Sequence, residues 1–288
     1  SIGETKIPLQ ALAISGVLNV ALNLVFVIVF KMTVNGVAIA TVLSNAISAI
    51  VLFRRLCRTD HVIRIKRTEF KFDAGVAGRI LRIGLPAGIQ GAVFAVANIV
   101  IQSAINSLGT IVMAASSAAL NIEIIVYDIM NSFSQACTTF TGQNYGAGDL
   151  KRCKKSLYLC IIEAAVACAV SIMLILFFGK SLLALFNSDP RVVEIGYTRL
   201  LIIFSAYTFS MLYENMSGYL RGFGLSLVPA ILTVFGVCVV RLVWIYTVFP
   251  AHRTFTTIML VYPLSLATTA VLIFIALMVY RPSKRYQK

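Results

Sequence analysis

The chain has 288 residues, 59% of them hydrophobic and 12% charged, with a mean hydropathy of +0.90 and a formal net charge of +14. These values exclude an ordinary soluble domain and predict an all-α polytopic membrane protein. The positive charge would suit a nucleic-acid partner, but the basic residues fall in short clusters between apolar runs, the pattern of cytoplasmic loops, so no nucleic-acid partner is expected.

Apolar runs of about 20 residues, enough to cross roughly 30 Å of hydrocarbon, occur at 9–30, 35–53, 84–107, 111–141, 156–179, 196–220, 227–249 and 256–280. Eight spans return the chain to the side on which it began. With both ends cytoplasmic, 19 of the 25 Lys and Arg residues lie inside; Lys31, Lys180, Arg191, Arg199 and Arg253 lie outside, and Arg241 lies within a span. That imbalance selects the orientation in a plasma (inner) membrane. The chain opens SIGETKIP, without an initiating Met or a cleavable leader, and is expected to be a piece of a longer protein.

On the first span Asn19 and Asn23 stand one turn apart on one face, where their amide oxygens could coordinate Na+ or bond a neighbouring helix. Residues 54–83 form the longest polar connection, read as a basic cytoplasmic linker lying on anionic headgroups between two halves. GETKIP at Gly3–Pro8 and GLSLVP at Gly224–Pro229 both place Gly and Pro five apart before a long span. This short repeat implies that the last two helices duplicate the first two, as in two-lobed transporters.

The fourth span carries most of the polar chemistry. Wound at about 100° per residue, it groups Glu123, Tyr127, Asn131, Ser134, Thr138 and Thr141 on one quarter of its surface. Asp128 falls on the adjoining quarter with Asn121, Ser132, Gln135 and Thr139. Such a helix must line a cavity or a wet bundle interior. Its acids read either as a coupling or substrate site or as carboxylates satisfied by neighbours. Glu163 reads as structural. Glu214 stands two turns from Arg221, and pairing and function are both open to it. Arg241, deep in the seventh span, is expected to act as counter-ion to Glu214, Glu123 or Asp128.

Nothing reads as an enzyme: His61 and His252 are the only histidines, and no Walker A run, nucleophile elbow or paired-histidine helix is present. The six cysteines have no metal-ligand spacing and read as packing residues.

Together, GLPAGIQ, NIVIQSAINSLG, the block from Asn121 to Arg152 that contains TFTGQNYGAG, and the later YLRGFG resemble the multidrug and toxic compound extrusion (MATE) family, in its bacterial branch. The resemblance runs from the fifth helix of a twelve-helix transporter to its end. It implies two lobes of six plus six helices, with residues 1–53 closing the first lobe, 54–83 linking, and 84–288 forming the second lobe and a cytoplasmic tail. It further implies a monomeric exporter of drugs or organic cations, without cofactor, driven by inward Na+ or H+. Asn19, Asn23 and Thr41 would belong to the first lobe's cation site, where Na+ could sit at Asn19 and Asn23. Asn23 stands where Asp is common, and GIQGAVFAVANIV lacks the acid that other members carry, holding Gln90 and Asn98 instead. That departure moves the expected coupling site or substrate cavity to Glu123, Asp128, Tyr127, Asn131, Glu214 and Arg241, in a cavity read as net acidic. A flippase for lipid-linked oligosaccharides is the nearest alternative, and a channel a more distant one.

Overall fold

The structure, a computed structural model, describes residues 6–58 and 73–282. Every regular element among them is helical. Seven helices are long and apolar enough to cross a membrane, or eight if one bent pair counts as a single span. The all-α class follows as the composition predicts. The chain forms two compact units, Ser1–Ala77 and Gly78–Lys288.

In the first unit, α1 (Lys6–Leu24) runs on as a π-helical turn over Val25–Val29 and packs against α2 (Val34–Arg58). Small residues four apart make this pairing possible: Ala11 and Ser15 on α1, and Gly36, Ala40, Ser44 and Ser48 on α2, are all buried. Close backbones let hydroxyls reach carbonyls across the seam. Ser15 Oγ donates to Ser44 O at 2.9 Å, and Ser48 Oγ to Ala11 O at 3.5 Å. The outward residues, such as Leu12, Val17, Val20 and Val42, are apolar and exposed.

Helix α3 (Ala74–Asn106) leads into the second unit. It is followed by α4 (Thr110–Gly146), α5 (Leu150–Phe186), α6 (Pro190–Ser205), α7 (Tyr207–Gly222), α8 (Leu227–Thr233), α9 (Val240–Thr247), α10 (Phe255–Met259) and α11 (Val261–Tyr280). Helix α4 is central, packing on α5, α6 and α7 through Ala115, Ala119, Ile122, Val126, Met130 and Cys137. Helix α5 turns Met173, Phe177 and Leu185 outward.

The QNYGAGD run is a tight helix-to-helix turn. Ala147 N donates to Gln143 O, and Gly148 takes φ +77, a conformation that costs glycine little. Asp149 then caps α5 by accepting from Arg152 N at 2.9 Å. Gly218 and Gly222 of α7, a small-xxx-small pair, press against α4. A methyl on Gly218 would lie 2.5 Å from Ser134 O, and one on Gly222 would lie 2.6 Å from Thr141 Cβ.

Helix extents differ from the apolar-run reading in several places. Helix α2 continues to Arg58 and α3 begins at Ala74, so helix covers both ends of the segment 54–83. Arginine lowers hydropathy but is a good helix former, so a hydropathy run marks hydrocarbon rather than helix. Residues 59–72 of that segment, and the Gly3–Thr5 part of the repeat, lie outside the described residues. The span read as 196–220 is a pair of helices bent by 46° at Ala206. Neither Pro nor Gly marks that bend. Finally, α8 passes through a π-helical segment, Val234–Val239, before α9, an irregularity often found at functional sites.

Candidate functional site

A cavity of about 680 Å³ opens within the second unit, walled by α3, α4, α6, α7, the α8–α9 span and α11. Glu123, Tyr127, Asn131, Glu214 and Arg241 all line it. Asp128 does not; it is exposed and lies outside the lining. Five residues separate it from Glu123, about 140° around the helix, which carries it off the cavity face.

Glu123 is not a free acid. Arg199, reaching in from α6, donates from Nε to Glu123 Oε1 at 2.6 Å and from Nη2 to Oε2 at 2.9 Å. Its Nη1 donates to Ser116 Oγ. Both side chains are almost wholly buried, at 3% and 5% exposure. This two-point fork is the geometry that best offsets removing two charges from water. Arg199, counted on the outer side from the sequence, is thus buried among the helices. It stands in register with Val192, Gly196 and Ile203 on the buried stripe of α6. That register was the available sign that it faces inward.

Arg221 lies 3.7 Å from Glu214, a looser pair than Glu123 with Arg199. Its Nη2 also donates to Ser134 Oγ at 3.0 Å, while Ser134 Oγ donates to Glu214 O at 2.8 Å. The pairing between Glu214 and Arg221, open in the sequence, is made.

Arg241 departs from its expected role. Among the described residues it has no acidic partner; its Nε donates to Ser265 Oγ at 3.1 Å, and its Cζ sits 4.3 Å from the Tyr262 ring centroid. The other face of the account is Arg199, whose Cζ lies 5.6 Å from the same ring. Sequence reasoning left Arg199, Ser116, Tyr207 and Tyr262 out of the site. Among the described residues three arginines and two glutamates line the cavity, so this lining is not net acidic, which corrects the expectation drawn from Glu123 and Asp128.

In the first unit Asn19 Nδ2 donates to Thr41 Oγ1 at 3.3 Å and to Ser44 Oγ at 3.2 Å, and Asn23 Nδ2 donates to Asn19 Oδ1 at 3.0 Å. The three residues expected at the first lobe's cation site, Asn19 and Asn23 for Na+ and Thr41 beside them, are thus together, joined as an interhelical network. Asn23 Oδ1 is the one buried oxygen of the set without a partner. A cation stripped of water needs several oxygens turned to one point, and the others here are engaged in hydrogen bonds. Five of the six cysteines are buried in packed clusters, and no cluster of His, Cys, Asp or Glu able to hold a metal occurs among the described residues.

Comparison with known proteins places these features in a family context. The family profile described as MatE matches residues 86–247. "Probable multidrug resistance protein YpnP" of Bacillus subtilis (strain 168) is 30% identical over 245 residues, covering 84% of this chain and 54% of that protein. "Probable multidrug resistance protein NorM" of Thermotoga maritima is 28% identical over 258 residues, covering 83% and 52%. The chain therefore spans about half the length of these curated relatives. A structure described as the outward-facing conformation of a multidrug resistance MATE family transporter of the MOP superfamily superposes with a TM-score of 0.85 at 21% identity, covering 96% of this chain and 62% of that one.

Proposed function

The chain belongs to the MatE family, and on that premise we propose that it forms part of an exporter of small organic compounds, drugs among them, that works by alternating access and draws on inward Na+ or H+. The observation that carries this reading is a polar, ion-paired cavity inside an otherwise apolar helical unit. Charges at membrane depth are costly and are retained where they pair or serve transport.

The residues divide by geometry. The two-point, fully buried Glu123–Arg199 pair is suited to holding α4 against α6. Glu214, held by Arg221 at 3.7 Å, is the acid freer to take up a proton or a cation during a cycle. Tyr127, Asn131, Gln90 and Asn98 offer cargo contacts. In the whole protein, residues 1–53 would end the first lobe, 54–83 connect, and 84–288 form the second lobe. It would act as a monomer in the plasma membrane, with both ends of these residues cytoplasmic. Asn19, Asn23 and Thr41 would hold a cation only after exchanging their present hydrogen bonds. Organic cations remain within the cargo range, although the cavity's charge does not single them out.

The test is export by the complete gene product reconstituted in proteoliposomes under an imposed Na+ or H+ gradient. Wild type should move a fluorescent dye with one gradient, and Glu214→Gln at matched amount should lose at least about 10-fold of the gradient-driven rate. That loss corresponds to roughly 1.4 kcal/mol. Unchanged coupling in Glu214→Gln would remove Glu214 from this role, and no export by wild type would overturn the exporter reading. A flippase for lipid-linked sugars is the second reading, favoured by the excess of arginine over glutamate around the cavity; it predicts that a lipid-linked phosphate crosses the bilayer while dyes do not.

A further inference from the structure

The charges around the cavity do not balance. Glu123 is matched by Arg199 and Glu214 by Arg221, which leaves Arg241 as the surplus cation among the described residues of the lining. Arg241 is 7% exposed. A guanidinium has five N–H donors in a planar fork, and one of them, on Nε, goes to Ser265 Oγ. The four on Nη1 and Nη2 meet no acceptor among the described residues. Neither nitrogen is sealed off from the cavity, so an anionic ligand entering it can reach both.

The side chain is also held in place. Ser265 fixes one edge of the fork, Tyr262 stacks on its face, and Ser265 Oγ is itself anchored by donation to Tyr262 O at 3.0 Å. The π-helical segment Val234–Val239 immediately precedes Val240 and Arg241, so the register of this part of the span is set by that irregularity. A fork immobilised on one edge and free on the other is arranged for two parallel bonds to a carboxylate or phosphate. Around it the cavity presents Phe94, Tyr127, Tyr207, Tyr213 and Tyr262, surfaces that suit an aromatic body.

We infer that the cavity takes organic molecules bearing a carboxylate or phosphate on an aromatic frame, and that Arg241 holds the anionic group. This rests on the exporter reading for its biological setting, but the binding itself can be measured without transport.

Fluorescein and rhodamine 123 share a xanthene frame and differ in charge, the first anionic and the second cationic. Binding of each to the purified complete protein in zwitterionic nanodiscs is read by fluorescence polarisation. Wild type should bind fluorescein at least about 10-fold more tightly than rhodamine 123. Arg241→Gln should weaken fluorescein binding by about 10-fold to 100-fold, the range for a hydrogen bond to a charged group, and leave rhodamine 123 within about twofold. Arg241→Lys should retain part of the preference. Displacement of fluorescein by benzoate or by phenyl phosphate supports the inference, and the better competitor identifies the acid. Tighter binding of rhodamine 123 by wild type would overturn the inference without recourse to any variant. Equal loss of both dyes in Arg241→Gln would reduce Arg241 to a structural residue. Persistent fluorescein preference in a protein whose proteoliposomes export neither dye would sustain the anion site while rejecting the exporter.

Discussion

At the scale of single residues, two buried arginines have opposite situations. Arg199 is bonded at each of its three nitrogens, two of them to Glu123, so removing that partner leaves a charge buried without compensation. Glu123→Gln should therefore cost about 3–5 kcal/mol, read as a fall in melting temperature in detergent and in membrane abundance. The double change Glu123→Gln with Arg199→Met should recover much of that loss, since no charge is then left buried without a partner. A double variant as unstable as the single would show that packing, not charge, is what Glu123 provides. Glycine makes a second residue-scale prediction. Gly218→Ala drives a methyl against the Ser134 carbonyl and should cost about 1–3 kcal/mol by overpacking, measured by the same melting experiment; Gly16→Ala, with open space around it, should be nearly neutral.

Among the elements, helix ends rest on short-range chemistry. Asp149→Ala removes the cap of α5 and should cost about 1 kcal/mol, visible as faster amide exchange in its first turn. Asp189 caps α6 by accepting from Arg191 N at 2.9 Å, and its side-chain bond with the Arg191 guanidinium holds its carboxyl below the usual range. A lowered folded-state value means that this stabilisation is present above the unfolded carboxylate range and lost as pH falls through the folded value. Amide exchange at the start of α6 should accordingly accelerate in acid, and Asp189→Asn should remove that pH dependence while keeping the cap. Eight spans and the polar face of α4 were legible in the sequence because apolar length and helical periodicity are local properties. The bend at Ala206 and the π segment at Val234–Val239 were not: no Pro or Gly announces the first, and the second depends on how α11 packs against that span, with Thr269 meeting Gly236. For the same reason the shared face of Glu123, Tyr127 and Asn131 is readable from one helix alone, whereas the partners Arg199 and Tyr262 lie on helices distant in sequence. Asp128, on the adjoining quarter of the helix, falls outside the cavity lining.

For the molecule as a whole, the cavity of the second unit is the proposed path of the cargo. Apolar outer faces such as those of α5 provide the lipid boundary, and the paired charges concentrate inside. The measurement that tests this most directly is dye export from cells lacking their own efflux pumps, with the complete gene product carrying Asn131→Trp or Asp128→Asn at matched abundance, using fluorescein and rhodamine 123. Asn131 lines the cavity and Asp128 does not. Filling the cavity at Asn131 should reduce export at least about 10-fold, and Asp128→Asn should leave it within about twofold, against a baseline in which each 1.4 kcal/mol is a factor of ten. Full export by Asn131→Trp, or its loss in Asp128→Asn, would contradict the assignment and place the cargo's path elsewhere.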